Sequence, residues 1–128
     1  MKFTSVIGLA VAVFAGIAIG AVGETIHAQS KPPVYMVANI EITNQQGYAN
    51  EYLPKAKALI QQHGGVYIAA GKGTTIDGEL AGRVVILRWD SMEQLMGWRH
   101  SPEYEAVRKV GEKYAKYNLF AVDGVEQK

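Results

Sequence analysis

The chain has 128 residues, and 13 Lys and Arg stand against 12 Asp and Glu for a net charge of +1. So balanced a charge offers no polyanion or acidic membrane surface an evident hold. The absence of cysteine removes disulfides, thiol catalysis and thiolate metal sites.

The N-terminus reads as an address. Met1-Lys2 is a short positive region, and Val6 to Val22 is an uncharged apolar run. Ala21-Val22-Gly23 and Ile26-His27-Ala28 are both patterns of small residues suited to signal cleavage. The second is favoured, giving a signal peptide over residues 1–28, a disordered leader over 29–33, a domain over 34–125 and a tail over 126–128. That arrangement predicts a periplasmic or secreted protein. The alternative is an uncleaved membrane anchor over residues 6–22, which is near the lower length limit for crossing a bilayer. Cleavage leaves about 100 residues, the size of one small domain.

Val34 to Ile42 is dense in β-branched and aromatic residues and predicts a strand. One of its faces (Val34, Met36, Ala38, Ile40, Ile42) is wholly apolar; the other (Tyr35, Val37, Asn39, Glu41) is mixed and suits a cavity wall or a subunit contact. Thr43 or Asn44 then caps a helix running to about His63, with Tyr48, Tyr52, Ala56, Leu59 and Ile60 on one stripe. Pro54 lacks an N–H and crowds the preceding turn, predicting a kink or two short helices. Gly64-Gly65 ends the run, one glycine left-handed.

Val66 to Ala70 predicts a second strand, and the glycine-rich stretch up to Gly82 a connection to a third over Arg83 to Trp89. Ser91-Met92-Glu93-Gln94 has the form of a capping box, with Gln94 returning to the Ser91 amide, and opens a short helix to about Arg99. Ser101 caps the next helix, with Pro102 at its first position and Glu103 and Glu105 beside the positive end of its dipole. Asn118 to Val122 is the last strand. The order βαββαβ predicts an α+β, ferredoxin-like fold, an antiparallel sheet with helices on one face. The other face then needs cover, most simply from a second copy as a homodimer.

From Val34 to Val125 the chain resembles the domain of unknown function 1330 family. The resemblance lies in VYMVANIEIT, the proline-containing YANEYLPKAKALIQQHGG, RVVILRWDSMEQLMGW, SPEY and FAVDGV. It implies a ferredoxin-like subunit that pairs into a dimeric α/β barrel. The wider superfamily includes cofactor-free oxygenases, small-ring isomerases, haem-degrading enzymes and plain ligand binders. The family itself has no established activity. Its pattern often has an acid at the position of Asn39 and arginines at those of Ala70 and Gly111, natural partners in a buried polar site. Here all three are neutral, as either a repacked ion pair or a lost or altered site would leave them.

Catalytic chemistry is sparse. Of three histidines, His27 lies in the export segment and His63 suits a helix C-terminus. His100, before SPEY, is the one candidate acid–base group. No histidine pair has metal-ligand spacing, and neither a metal nor a cofactor is expected. Gly71-Lys72-Gly73-Thr74 lacks the G-K-[ST] run of a phosphate loop. The arginines are too dispersed for a nucleic-acid surface.

Seven tyrosines fit a half-polar cavity or plain packing. The expected function is binding of a small, partly apolar molecule between sheet and helices. Its candidate contacts are Tyr35, Asn39, Tyr67, Arg88, His100 and Tyr104, with Asn39 and Arg88 orienting a carbonyl or carboxylate. The alternatives are a cofactor-free oxygenase- or isomerase-like enzyme with His100 as base, and a structural or interaction protein without a ligand site.

Overall fold

A computed structural model of the chain describes residues 31–79 and 82–127. The predicted export segment and the first residues of the leader lie outside the described residues. Strand β1 (Val34–Ile42) is followed by a helical run over residues 45–62, here α1; then come β2 (Val66–Lys72), β3 (Arg83–Trp89), α2 (Met92–Arg99), α3 (Pro102–Gly111) and β4 (Ala115–Asp123). The strands form one sheet in the order β2-β3-β1-β4, antiparallel throughout. This is the α+β arrangement expected from the order of elements. No described helix is long and apolar enough to cross a membrane.

The period-two pattern of β1 decides what the sheet buries. Val34, Met36, Ala38 and Ile40 are buried, as are Val85, Leu87 and Trp89 of β3. Tyr52, Ala56 and Ile60 of α1, Leu95 and Trp98 of α2 and Tyr104 of α3 complete this core. On the opposite face, register aligns Val37 with Ile86 on one side and Phe120 on the other. Phe120 and Val122 are 55% and 57% exposed there, an apolar surface that no described helix covers.

The helix termini follow the local sequence closely. Asn44 Oδ1 accepts from Gly47 N at the start of α1, and Ser91 Oγ from Gln94 N at the start of α2. Gln94 returns its side-chain oxygen to the amide of Asp90, not to that of Ser91 as a strict capping box requires. Ser101 Oγ accepts from Tyr104 N and donates to the Trp98 carbonyl, tying the end of α2 to the start of α3. Gly64 takes φ +93°, with Gly64 N donating to Gln61 O and Gly65 N to Ile60 O. That is the paired closure of a Schellman motif, in which a side chain at Gly64 would be strained.

Two elements run longer than local signals suggest. β4 begins at Ala115, not Asn118, because it pairs with β1 along all nine residues from Ile42↔Ala115 to Val34↔Asp123. β2 continues to Lys72, with an irregularity between Tyr67 and Ala69 that places Ile68 out of register.

Candidate functional site

The site begins with Pro54. Without an amide proton it cannot complete the preceding α-helical turn, and residues Tyr48–Tyr52 adopt a wider π-helical turn, after which Leu53–Gln62 continues as an α-helix. The expected interruption thus takes the form of a bulge rather than a break. Spaced four apart, Tyr48 and Tyr52 share the inward face, with ring centroids 5.1 Å apart and both side chains buried. Tyr117 of β4 comes within 5.6 Å of the Tyr52 ring, and Tyr104 enters from the first turn of α3, its position set by the Ser101 cap.

Together with Tyr67 of β2, these side chains wall a cavity of about 110 Å³ between sheet and helices, floored by Met36, Ala38, Val85 and Leu87. At its inner wall the Tyr52 and Tyr104 hydroxyls are 2.6 Å apart and buried. Tyr117 Oη is buried beside them. Lys57 and Arg83 also border the cavity. Lys57 Nζ lies 5.8 Å from the Tyr67 ring centroid.

Burial dominates the electrostatics. It pushes the Tyr48 hydroxyl up to about 12 against an opposing pull from Arg83. Burial raises Tyr52 further, helped by Tyr104, and raises Tyr67 and Tyr117 as well. Near neutral pH these groups are uncharged hydroxyls that can donate and accept, not phenolate bases. The rest of the wall is apolar, so the cavity has the make-up of a small-molecule site: apolar contact area with a few convergent polar groups.

Of the six residues predicted from sequence, only Tyr67 and Tyr104 border this cavity. Tyr35, Asn39 and Arg88 project from the other side of the sheet, because odd-numbered positions of β1 alternate with the buried even ones and Tyr35 pairs with Arg88. Asn39 stands between Val84 and Asn118 on that face, its Nδ2 buried without a partner among the described residues. Arg88 reaches Asp90 at 4.0 Å, an exposed pair. The proposed role of Asn39 and Arg88 in orienting a ligand between sheet and helices is therefore corrected: parity puts both behind the sheet.

His100 sits in the turn between α2 and α3. Its Nδ1 is 3.8 Å from Glu105 and its side chain is 67% exposed. It does not border the cavity, so the expected His100 base has no reach to a molecule held there. Position 39 is likewise separated from 70 and 111. Ala70 borders the cavity, whereas a side chain at Gly111 would collide with the Tyr117 hydroxyl and the Tyr52 ring. The Tyr117 hydroxyl and the Tyr52 ring occupy the space at position 111. Among the described residues, no three His, Cys, Asp or Glu side chains gather as a metal site would require.

Tyr48, Tyr52 and Tyr117 join the site without being among the residues expected there from sequence. The four-residue spacing of the first two on the apolar stripe is the local signal for them. Tyr117 has the same strand parity as Leu119 and Ala121, but its place beside Tyr52 comes from the β1–β4 pairing.

Several solved structures share this architecture. A protein of unknown function from Rhodopseudomonas palustris is 15% identical, with a TM-score of 0.64 over 81% of this chain and 95% of its own. A cofactor-independent oxygenase from Streptomyces nogalater is 9% identical, with a TM-score of 0.57 over 75% and 96%. A dimeric protein of ferredoxin-like fold from Bacteroides fragilis is 13% identical, with a TM-score of 0.51 over 72% and 96%. At these identities the likeness shows the ferredoxin-like fold alone. No curated protein matches the chain. Residues 33–125 match the family described as domain of unknown function DUF1330, and the chain belongs to that family.

Proposed function

We propose that this protein is an exported, homodimeric small-molecule binder whose ligand occupies the tyrosine-walled cavity between sheet and helices. The observation that carries the reading is the cavity itself. A closely packed core ordinarily leaves no void of about 110 Å³, least of all one walled by buried tyrosines. Lys57 and Arg83 at its border offer a polar group of the ligand a partner, and the apolar floor would bury the ligand's remaining surface. Export rests on the sequence of residues 1–28. The homodimer rests on the uncovered face around Val37, Ile86 and Phe120, and a dimeric structure of the same fold is consistent with it.

The enzyme reading draws on the cofactor-independent oxygenase among the similar structures. It has less support here, because His100 lies outside the cavity and burial holds Tyr48, Tyr52, Tyr67 and Tyr117 protonated. The reading of a structural protein without a ligand site is disfavoured by the unfilled interior.

Native mass spectrometry of the protein recovered from the periplasmic fraction tests all three parts of the proposal. The expected spectrum shows a dimer carrying a small co-purifying species, with subunits beginning at Gln29. A monomer of full-length chains with no bound species, and no small molecule that perturbs the chamber tyrosines, would refute it.

A further inference from the structure

Lys72 and Arg83 stand directly opposite each other across the β2–β3 ladder, so both side chains leave the sheet on one side. Like charges so placed repel. Among the described residues no Asp or Glu comes within ion-pair distance of either, nor of Lys57. Arg83 also borders two spaces at once: the tyrosine-walled cavity, with Lys57, and a shallow groove at the end of the sheet, with Lys72. Both spaces are bordered by Ile40 as well, and neither by any acidic side chain. Arg83 and Lys57 therefore bring two cations to the border of the cavity, and Lys72 stands across the ladder from Arg83 at its edge, where like charges repel. A bound anion would offset that repulsion.

The size of the cavity limits what the anion can be attached to. At about 110 Å³ it is smaller than the engineered apolar cavity of about 150 Å³ that admits a benzene molecule. A fused polycyclic molecule does not fit; a branched short chain, or one ring left partly in the mouth, does. The buried tyrosines add neutral donors and acceptors but no further charge.

We propose that the cavity takes a small organic carboxylate of at most one ring, its charge held by Arg83 with Lys57 and Lys72 and its apolar end lodged against Tyr52 and Tyr104. The proposal rests on the cavity being a ligand site and adds the charge and size of the occupant.

Isovalerate and benzoate, each paired with its uncharged amide, are titrated into the full-length protein while the ring resonances of Tyr52 and Tyr104 are followed by NMR. At least one carboxylate should shift both tyrosines and bind at least ten-fold more tightly than its amide. Arg83→Gln should weaken that carboxylate about ten-fold, and the exposed Lys57→Gln and Lys72→Gln by smaller factors. Lys72→Gln should at the same time raise the melting temperature of the ligand-free protein, since it removes the repulsion; a residue needed only for folding would lower it. Amides that bind as well as the acids, or an Arg83→Gln variant of unchanged affinity, overturn the anion assignment and leave the cavity a ligand site. Carboxylates that bind without moving the tyrosines place the anion elsewhere and also overturn it. If no probe moves them, both readings fall.

Discussion

The hydroxyls of Tyr52 and Tyr104 lie 2.6 Å apart in the core, joining the π-helical turn of α1 to the first turn of α3. Each is the other's buried hydrogen-bond partner, and Trp98 covers Tyr104 with ring centroids 4.3 Å apart. Tyr52→Phe should therefore strand the Tyr104 hydroxyl and cost about 1–3 kcal/mol, more than the bond's own net contribution. Tyr52→Phe/Tyr104→Phe should cost less than the two single changes added together. Urea unfolding of the four proteins checks this, and strictly additive losses would show that the hydroxyls do not depend on each other.

Gly111→Ala should lower stability by about 1–3 kcal/mol, because a methyl group there meets the Tyr117 hydroxyl and the Tyr52 ring. Tyr117→Phe in the same chain should return part of that loss by removing the oxygen that collides. Thermal unfolding of both variants measures it, and an unchanged melting temperature for Gly111→Ala would contradict the packing described.

Stability should fall steeply in alkali. Tyr48 is raised from an ordinary value near 10 to about 12 on folding, chiefly by burial. Below pH 10 both folded and unfolded chains keep the proton and the shift has no effect. Between pH 10 and about 12 only the unfolded chain releases it, so the stabilisation of the native state drains away as pH rises. Tyr48→Phe should flatten the slope of stability against pH in that window by about 1.4 kcal/mol per pH unit. Denaturant titrations at stepped pH, followed at a wavelength free of tyrosinate absorption, report that slope.

Phe120→Lys places a charge on the exposed sheet face, midway along edge strand β4, where Phe120 is 55% exposed and stands opposite Val37. It should convert a dimer to monomers while leaving the unfolding transition of the domain in place. Sedimentation equilibrium of wild type and variant across a concentration series checks it. A wild-type chain that stays monomeric throughout removes the dimer proposal.

Gln94→Ala should lose the bond from the Asp90 amide to the Gln94 side chain and cost about 0.5–1.5 kcal/mol. Ser91→Ala should cost a similar amount through loss of the α2 cap. Hydrogen exchange at Asp90 and Gln94 separates the two, since each variant exposes a different amide.

Several elements are legible locally because their chemistry acts within a few residues. The Ser101-Pro102 start of α3, the Gly64-Gly65 stop and the even-numbered apolar face of β1 depend on backbone geometry and period-two alternation, which need no partner to be recognised. The same alternation also separated Tyr35 and Asn39 from Ala38 and Met36; expecting Asn39 beside the helices set that parity aside. Pro54 announced an interruption but not its form, because a wider turn and a break both accommodate a residue without an N–H until α3 packs against the bend.

By itself the sequence determined the order of elements, the ferredoxin-like class, the caps and the family. The tertiary structure decided which tyrosines meet. The irregularity at Ile68 lets Tyr67 and Ala70, three apart, both pair with positions of the buried β3 face, and the β1–β4 ladder extends to Ala115 and brings Tyr117 beside Tyr52. It also set Lys72 opposite Arg83. These are relations between residues distant in the chain, settled by the register of paired strands, and register is a property of the whole sheet that no short window of sequence contains.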